Sequence, residues 1–183
     1  MTNPVVSLVT GQTPVKDQGL RNTCMVMAAT AGHEYLRQPL ELSVEHLWWQ
    51  LMQRGGIGPA GATFSALTLA LAIDGQCIEP YWQYGPIVPT PPPSPIPTPA
   101  YVAPGSSSGP ATLDSIRADL TAGRPIVFGF RMNDEFVIGS DPIDALASDF
   151  SDNGLHAVLA VAYDEGARLV TIRNSWGTGW GRS

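Results

Sequence analysis

Cysteine is scarce in this chain of 183 residues, which contains only Cys24 and Cys77. Two cysteines cannot form a framework of disulfide bonds, and neither belongs to a Cys-x-x-Cys pair of the kind that binds metals. We therefore expect no metal and no other cofactor. Free thiols indicate a reducing compartment, and the predicted location is the cytoplasm of the producing cell or of a host cell.

Long hydrophobic runs and positive charge are also lacking. No apolar stretch approaches the ~20 residues that span a bilayer, so we expect no membrane span. No charged segment followed by an apolar one opens the chain, so we expect no signal peptide. The net charge of -6 argues against nucleic acid as a partner. A hydrophobic content of 44% predicts a globular protein.

The acidic residues are unevenly distributed along the chain. Several gather late in the sequence, at Asp134, Glu135, Asp141, Asp144, Asp149 and Asp152. A charge run of this kind usually forms a solvated loop, and a solvated loop is the prediction here. The alternative is a site that favours basic substrates.

Helical patterns fill the first part of the chain and β patterns the last. Helices are predicted at 24–36, 43–54 and 63–75, and a short one follows Thr112 and ends before Gly123. Strands are predicted at 125–130, 155–163 and 168–174. This distribution predicts an α+β protein with a cleft between its two halves.

A proline-rich segment separates the two halves. Residues 86–110 contain ten of the seventeen prolines, interleaved with threonine, serine and glycine. Such a composition favours polyproline II or disorder, and we interpret the segment as a semi-rigid connector or surface insertion. The alternative is a ligand for a partner protein of the SH3 type, because Pro-x-x-Pro occurs within it.

The segment that ends at Cys24 suits nucleophilic catalysis. Cys24 opens an apolar helical run, so its thiol is expected at a helix N-terminus, where the dipole and unpaired N–H groups favour the thiolate. Gln18 lies six residues upstream and supplies a side-chain amide. Together they predict a nucleophile beside an oxyanion hole.

A base and a residue that orients it lie far downstream. His33 and His46 fall within predicted helices, where a structural role is the default. His156 opens a predicted strand, and Asn174 begins the run Asn-Ser-Trp-Gly-Thr-Gly-Trp-Gly at 174–181. A cysteine nucleophile requires such a base, and the base requires a group that fixes its ring.

These motifs resemble the papain-like cysteine peptidases, the papain and cathepsin family. Residues 14–25 are similar to that family's segment Pro-Val-Lys-Asn-Gln-Gly-x-Cys-Gly-Ser-Cys-Trp, and residues 174–181 to Asn-Ser-Trp-Gly-x-x-Trp-Gly. In the family the histidine and asparagine follow the cysteine by about 130–150 residues, and His156 and Asn174 fall within this window. The chain departs from the pattern at Arg21, where the family has a disulfide cysteine, and at Asn22, Thr23 and Met25.

The resemblance implies a role for each matching residue. The catalytic set would be Cys24 as nucleophile, His156 as base, Asn174 as the residue that orients the imidazole, and Gln18 as oxyanion donor. Trp176 would shield the hydrogen bond between histidine and asparagine. The substrate-binding set would be Gly61, Ala62, Thr63 and Leu155.

The resemblance also implies a fold and an activity. The fold would be one papain-like domain over 1–183: a helical left subdomain at about 1–85, the connector at 86–110, and a β-barrel-like right subdomain at 111–183. Cys24 and His156 would face each other across the cleft. The predicted function is cysteine-type endopeptidase activity on polypeptides, and a microbial effector is one alternative setting for it. The alternatives are a deamidase or transamidase with the same residues, and an inactive binding module.

Overall fold

The computed structural model describes residues 5–59, 61–98, 100–110, 112–143 and 154–181. Its helices are α1 (Cys24–Leu36), α2 (Val44–Gln53), α3 (Phe64–Leu69), α4 (Leu113–Thr121) and α5 (Asp134–Ile138). Its strands are β1 (Val5–Ser7), β2 (Ile57–Gly58), β3 (Gly61–Ala62), β4 (Ile126–Arg131), β5 (Leu155–Asp164) and β6 (Leu169–Arg173). In the described part of the chain, no helix combines the length and apolar character needed to cross a membrane.

Three of the predicted helices begin at a polar residue whose side chain caps the helix, as the sequence indicates. Ser43 accepts a hydrogen bond from the N–H of His46 at the start of α2, and Thr63 and Thr112 cap α3 and α4 in the same way. These caps satisfy backbone donors that have no partner within the helix. After α3 the chain continues as a π-helix, Ala70–Asp74, and stops at Gly75, whose φ of 70° favours glycine.

Strand β5 is the centre of the sheet. Along one edge it pairs antiparallel with β4 and then with β1, and β6 pairs with it antiparallel along the other edge. All residues of β5 from His156 to Tyr163 are buried. Such a continuous apolar run is expected of a strand that is covered on both faces. Because it is covered in this way, β5 holds its first residues, including His156, firmly at the edge of the core.

Helix α1 connects the helical and β parts of the protein. Residues Val26 to Glu34 of this helix are all buried. On one side α1 packs against α2, and on another it packs against β4 and β5. Leu159 and Val161 of β5 form one hydrophobic cluster with Ala28 and Ala31 of α1. The start of α1 is therefore fixed relative to β5, which is the strand that carries His156.

The structure corrects the sequence prediction in two places. The prediction of a solvated acidic loop was wrong for Asp134 and Glu135, which form the first turn of α5, capped by the Asn133 side chain. Acidic residues in this position are favourable because of the helix dipole. The other difference concerns strands that were not predicted: β1, which pairs with β5, and the short hairpin of β2 and β3. Asp144, Asp149 and Asp152 lie outside the described residues.

The proline-rich segment is attached to the helical part of the protein at both ends. The N–H of Leu20 donates to the carbonyl of Pro86, and the N–H of Thr90 donates to the carboxylate of Glu45. Further along, Tyr101 and Gln76 exchange backbone hydrogen bonds. The described residues at 86–98 and 100–110 contain no helix or strand apart from this bridge. Polyproline II character, the connector role and the division into subdomains remain predictions.

Candidate active site

Cys24 is the first residue of α1, as the sequence predicts. Its side chain is half-buried. Burial raises the pKa of the Cys24 thiol, and the backbone N–H groups of Ala157, Met25 and Cys24 itself act in the opposite direction. Because Ala157 follows His156 directly in β5, the thiol lies near the strand that carries the imidazole.

His156 and Asn174 are hydrogen-bonded to each other. The Nε2 atom of His156 lies 2.7 Å from Oδ1 of Asn174, and both side chains are buried. Because the Asn174 oxygen can only accept, Nε2 carries the proton and Nδ1 is the ring nitrogen that remains for proton exchange. Burial lowers the pKa of His156, and the hydrogen bond with Asn174 raises it.

A second hydrogen bond fixes the Asn174 side chain. Its Oδ1 atom also accepts a hydrogen bond from the N–H of Ser175 at 2.8 Å, so the amide oxygen cannot rotate away from His156 without losing two bonds. The orientation of the imidazole is thus built into the turn that follows β6.

Aromatic rings cover the pair formed by His156 and Asn174. The ring centre of Trp176 lies 4.8 Å from that of His156, and the ring of Phe136 lies 5.3 Å from both. The indole N–H of Trp180 donates to the carbonyl of Phe136 at 2.9 Å, which ties α5 to this cluster. A hydrogen bond under such a cover is shielded from water and electrostatically stronger. Shielding by Trp176 remains a prediction, and the sequence offers no specific signal for the contribution of Phe136.

Gln18 contacts the same turn. Its Oε1 atom accepts from the hydroxyl of Ser175 at 2.7 Å, and its backbone N–H donates to the carbonyl of Ser175 at 2.8 Å. Its Nε2 atom donates to the carbonyl of Arg21 at 2.8 Å. A primary amide carries two N–H groups, so one remains for a ligand. The structure therefore brings the segment before Cys24 against the turn that carries Asn174.

Comparisons with known proteins bear on the fold and the family. No protein-family model matches the chain. The uncharacterized peptidase C1-like protein L477 of Acanthamoeba polyphaga mimivirus is 34% identical over 73 residues, which are 38% of this chain and 24% of the viral protein. This chain therefore spans about a quarter of the length of that relative.

Two solved structures are similar over nearly the whole chain. Xylellain, a cysteine protease from Xylella fastidiosa, has a TM-score of 0.76 and 26% identity, over 99% of this chain and 77% of that one. The Carica candamarcensis cysteine protease CMS1MS2, in complex with E-64, has a TM-score of 0.72 and 22% identity, over 97% and 84%. The chain has the papain-like fold. The predicted resemblance to papain-like cysteine peptidases is thereby confirmed.

In this papain-like chain, the loop that carries Gly61 lies next to the segment that ends at Cys24. Gly61 has a φ of 97°, and a Cβ atom at this position would lie 3.2 Å from the carbonyl oxygen of Asn22. A side chain at 61 is therefore strained by both conformation and space. Ala62 pairs with Ile57 in a short hairpin, and Thr63 caps α3. Substrate binding by Gly61, Ala62 and Thr63 remains a prediction.

The remaining candidates separate into exposed and buried residues. Leu155 is 67% exposed, directly before His156, so it is accessible to a ligand. His33 and His46 are buried and bonded to Gln76 and to the N–H of Cys77, which agrees with structural roles. Among the described residues, no group of three or more His, Cys, Asp and Glu side chains has the arrangement of a metal site.

Proposed function

We propose that this chain is a cysteine peptidase that hydrolyses peptide bonds through a thioester on Cys24. The main support is the hydrogen bond between His156 and Asn174, because it fixes the imidazole in a tautomer whose Nδ1 is left to act as the base. The contact between the Cys24 thiol and the N–H of Ala157 adds to this support. The papain-like fold agrees with the same assignment.

The acylation step uses four groups. The Cys24 sulfur attacks the carbonyl carbon of the substrate, and the resulting oxyanion accepts hydrogen bonds from the free N–H of the Gln18 amide and from the backbone N–H of Cys24. When the C–N bond breaks, His156 gives its proton to the leaving amine. The thioester remains on Cys24, and the amine product departs.

The deacylation step reverses these roles. Water loses a proton to Nδ1 of His156 as it attacks the thioester carbon, and the C–S bond then breaks. The carboxylate product leaves, and the proton is again shared between sulfur and imidazole. Asn174 holds the ring in one orientation through both steps, and Trp176 and Phe136 shield this hydrogen bond.

The proposal requires an ion pair between the thiolate and the imidazolium. Burial raises the pKa of Cys24 and lowers the pKa of His156, so burial alone disfavours both the thiolate and the imidazolium. The ion pair therefore depends on the attraction between the two charges and on the N–H groups at the start of α1, which favour the thiolate. A single proton moves from sulfur to nitrogen, so the net charge of the site does not change.

Peptide mapping of digests tests the proposal. The protein is incubated with an unfolded protein substrate, and the products are identified by mass spectrometry, with Cys24→Ala as the inactive variant. We expect chain cleavage by the wild-type protein and none by the variant, with both proteins folded. A unit gain in mass at glutamine without cleavage would indicate deamidation, and equal cleavage by both proteins would refute the role of Cys24. The reducing location and a partner for residues 86–110 remain predictions.

A further inference from the structure

The carbonyl of Arg21 organises the segment between Gln18 and Cys24. It accepts a hydrogen bond from the Gln18 amide at 2.8 Å and a second from the N–H of Thr23, also at 2.8 Å. The position of this one oxygen therefore sets both the orientation of the Gln18 amide and the path of the chain into α1. Whatever fixes Arg21 also fixes the two oxyanion donors of the proposed reaction.

The Arg21 side chain is bound on several sides. Its Nη1 atom lies 2.8 and 2.6 Å from the two carboxylate oxygens of Glu45, and it donates to the carbonyl of Gly85 at 2.8 Å. The guanidinium carbon lies 4.6 Å from the ring centre of Tyr84 and 5.4 Å from that of Trp48. Arg21 thus connects the cysteine segment to the first turn of α2 and to the chain at 84–85.

The buried ion pair between Arg21 and Glu45 is not expected to contribute much to the free energy of folding. Arg21 is 8% exposed and Glu45 is 1% exposed, so both charges have lost most of their hydration. The Nη2 atom of Arg21 is buried and has no hydrogen-bond partner among the described residues. Buried pairs of this kind are often no more stabilising than apolar residues of the same volume. The ion pair is therefore better explained by the position in which it holds the segment from Gln18 to Cys24 than by its contribution to stability.

Tyr84 forms a second connection between the same elements. Its hydroxyl donates to the carbonyl of Gln18 at 2.9 Å and lies 2.6 Å from the hydroxyl of Thr23. The ring of Tyr84 is also the one that lies nearest the Arg21 guanidinium. Side chains from outside the segment therefore hold it at Gln18, Arg21 and Thr23.

We propose that Arg21 is a positioning residue for acyl transfer, and that it acts with Glu45 and Tyr84. The three side chains, called here the Arg21 anchor, hold the Gln18 amide and the start of α1 where the oxyanion forms. Arg21 stands where the resembling family has a disulfide cysteine, so a noncovalent contact would replace a covalent one. The inference rests on the proposed function, because it concerns the same reaction.

Two kinds of variant test the Arg21 anchor. The double variant Arg21→Met/Glu45→Met removes both charges together, so it avoids leaving one buried charge unpaired. Tyr84→Phe removes only a hydroxyl. We expect both to remain folded and to lower kcat by ~10- to 100-fold with little change in KM, because a small displacement of catalytic groups has effects of about this size. Arg21→Lys, which keeps the charge, should retain more activity than the double variant.

The control is an arginine–carboxylate pair away from the site. Arg54 at the end of α2 binds Asp74, with Nη2 2.8 Å from Oδ1, and Arg54→Met should leave kcat and KM unchanged. Thermal unfolding of every variant separates positioning from stability. If kcat returns to the wild-type value at a temperature where the variants are fully folded, the anchor is merely structural and the inference is overturned. If the double variant does not fold, the inference is tested by the kcat values of Tyr84→Phe and Arg21→Lys instead.

Failure of the inference differs visibly from failure of the proposed function. Hydrolysis by the wild-type protein with unchanged kcat in the folded variants overturns only the Arg21 anchor. Absence of hydrolysis by the wild-type protein overturns the proposed function. Hydrogen exchange at residues 18–24 then decides whether the anchor holds the segment: faster exchange in the double variant supports it, and unchanged exchange overturns it.

Discussion

The reactivity of the two cysteines should differ in its dependence on pH. Alkylation requires the thiolate, so an isolated thiol with a pKa above the working range reacts about tenfold more slowly for each unit that the pH falls. Cys77 is fully buried and burial raises its pKa to about 11, so any labelling of Cys77 should be slow and should fall with pH in this way. The alkylation rate of Cys24 should not fall in this way, because His156 holds the proton of its thiol in the proposed ion pair.

The size of the effect follows from the thiolate fraction. A lone Cys24 thiol, with its pKa raised by burial, would lose about a thousandfold in alkylation rate between pH 8 and pH 5, because its thiolate fraction falls about tenfold for each pH unit. In the ion pair the thiolate is already formed over this whole range, so the rate should stay within a few-fold. The absolute rate is less informative than this slope, because nucleophilicity also falls as the pKa of the thiol falls.

The assay is brief exposure to iodoacetamide at pH 5 to 8, followed by quantitative peptide mapping of both cysteines in the same sample. Cys77 serves as the internal control, and His156→Ala should change the flat profile of Cys24 into a steep one. Steep and parallel profiles for Cys24 and Cys77 in the wild-type protein would refute the ion pair. An identical Cys24 profile in wild type and His156→Ala would refute the pairing with His156.

Three further predictions concern the oxyanion, the imidazole and acid stability. Gln18→Ala should lower kcat by ~10²–10³ with little change in KM, since it removes one oxyanion donor; a change confined to KM would contradict that role. Asn174→Ala should lower kcat by ~10- to 100-fold because the imidazole loses its orientation, whereas unchanged steady-state kinetics would show that the ring is fixed by its aromatic neighbours alone. The free energy of unfolding, measured with urea, should fall between pH 7 and pH 5.5. Burial lowers the pKa values of His33 and His46, so at these two residues the unfolded chain binds more protons than the folded protein does as the pH falls. Burial raises the pKa of Glu79, so this one group acts in the opposite direction. A free energy of unfolding at pH 5.5 that equals or exceeds the value at pH 7 would contradict the prediction.

Local chemistry explains which parts of the fold could be predicted. Ser43, Thr63 and Thr112 each precede an apolar helical pattern, and a capping hydroxyl needs only the N–H groups a few residues ahead. The run that forms β5 is unmistakable because both faces are buried. By contrast, β1 was missed because a short edge strand is defined by its partner, and β5 lies more than 150 residues away in the sequence.

The residues of the candidate site also differ in how far they could be predicted from the sequence. Cys24 and Asn174 could be proposed because each lies in a motif with a recognisable neighbourhood, and His156 because of its spacing from Cys24 at the start of a predicted strand. Ser175 was visible only as part of that motif, and its bond to the Gln18 side chain follows from the fold. The partnership of Arg21 with Glu45 joins a loop to a helix through side chains alone, and neither residue type signals it from the sequence.

The central claim is that Cys24 becomes acylated during turnover with the help of His156. It is tested most directly by acid quenching of the protein during hydrolysis of an activated ester substrate, followed by measurement of the intact mass and mapping of the adduct. We predict an added mass equal to the acyl group, located on Cys24, and its loss in His156→Ala. Turnover without an adduct on Cys24, or with the acyl group on another residue, would contradict the claim.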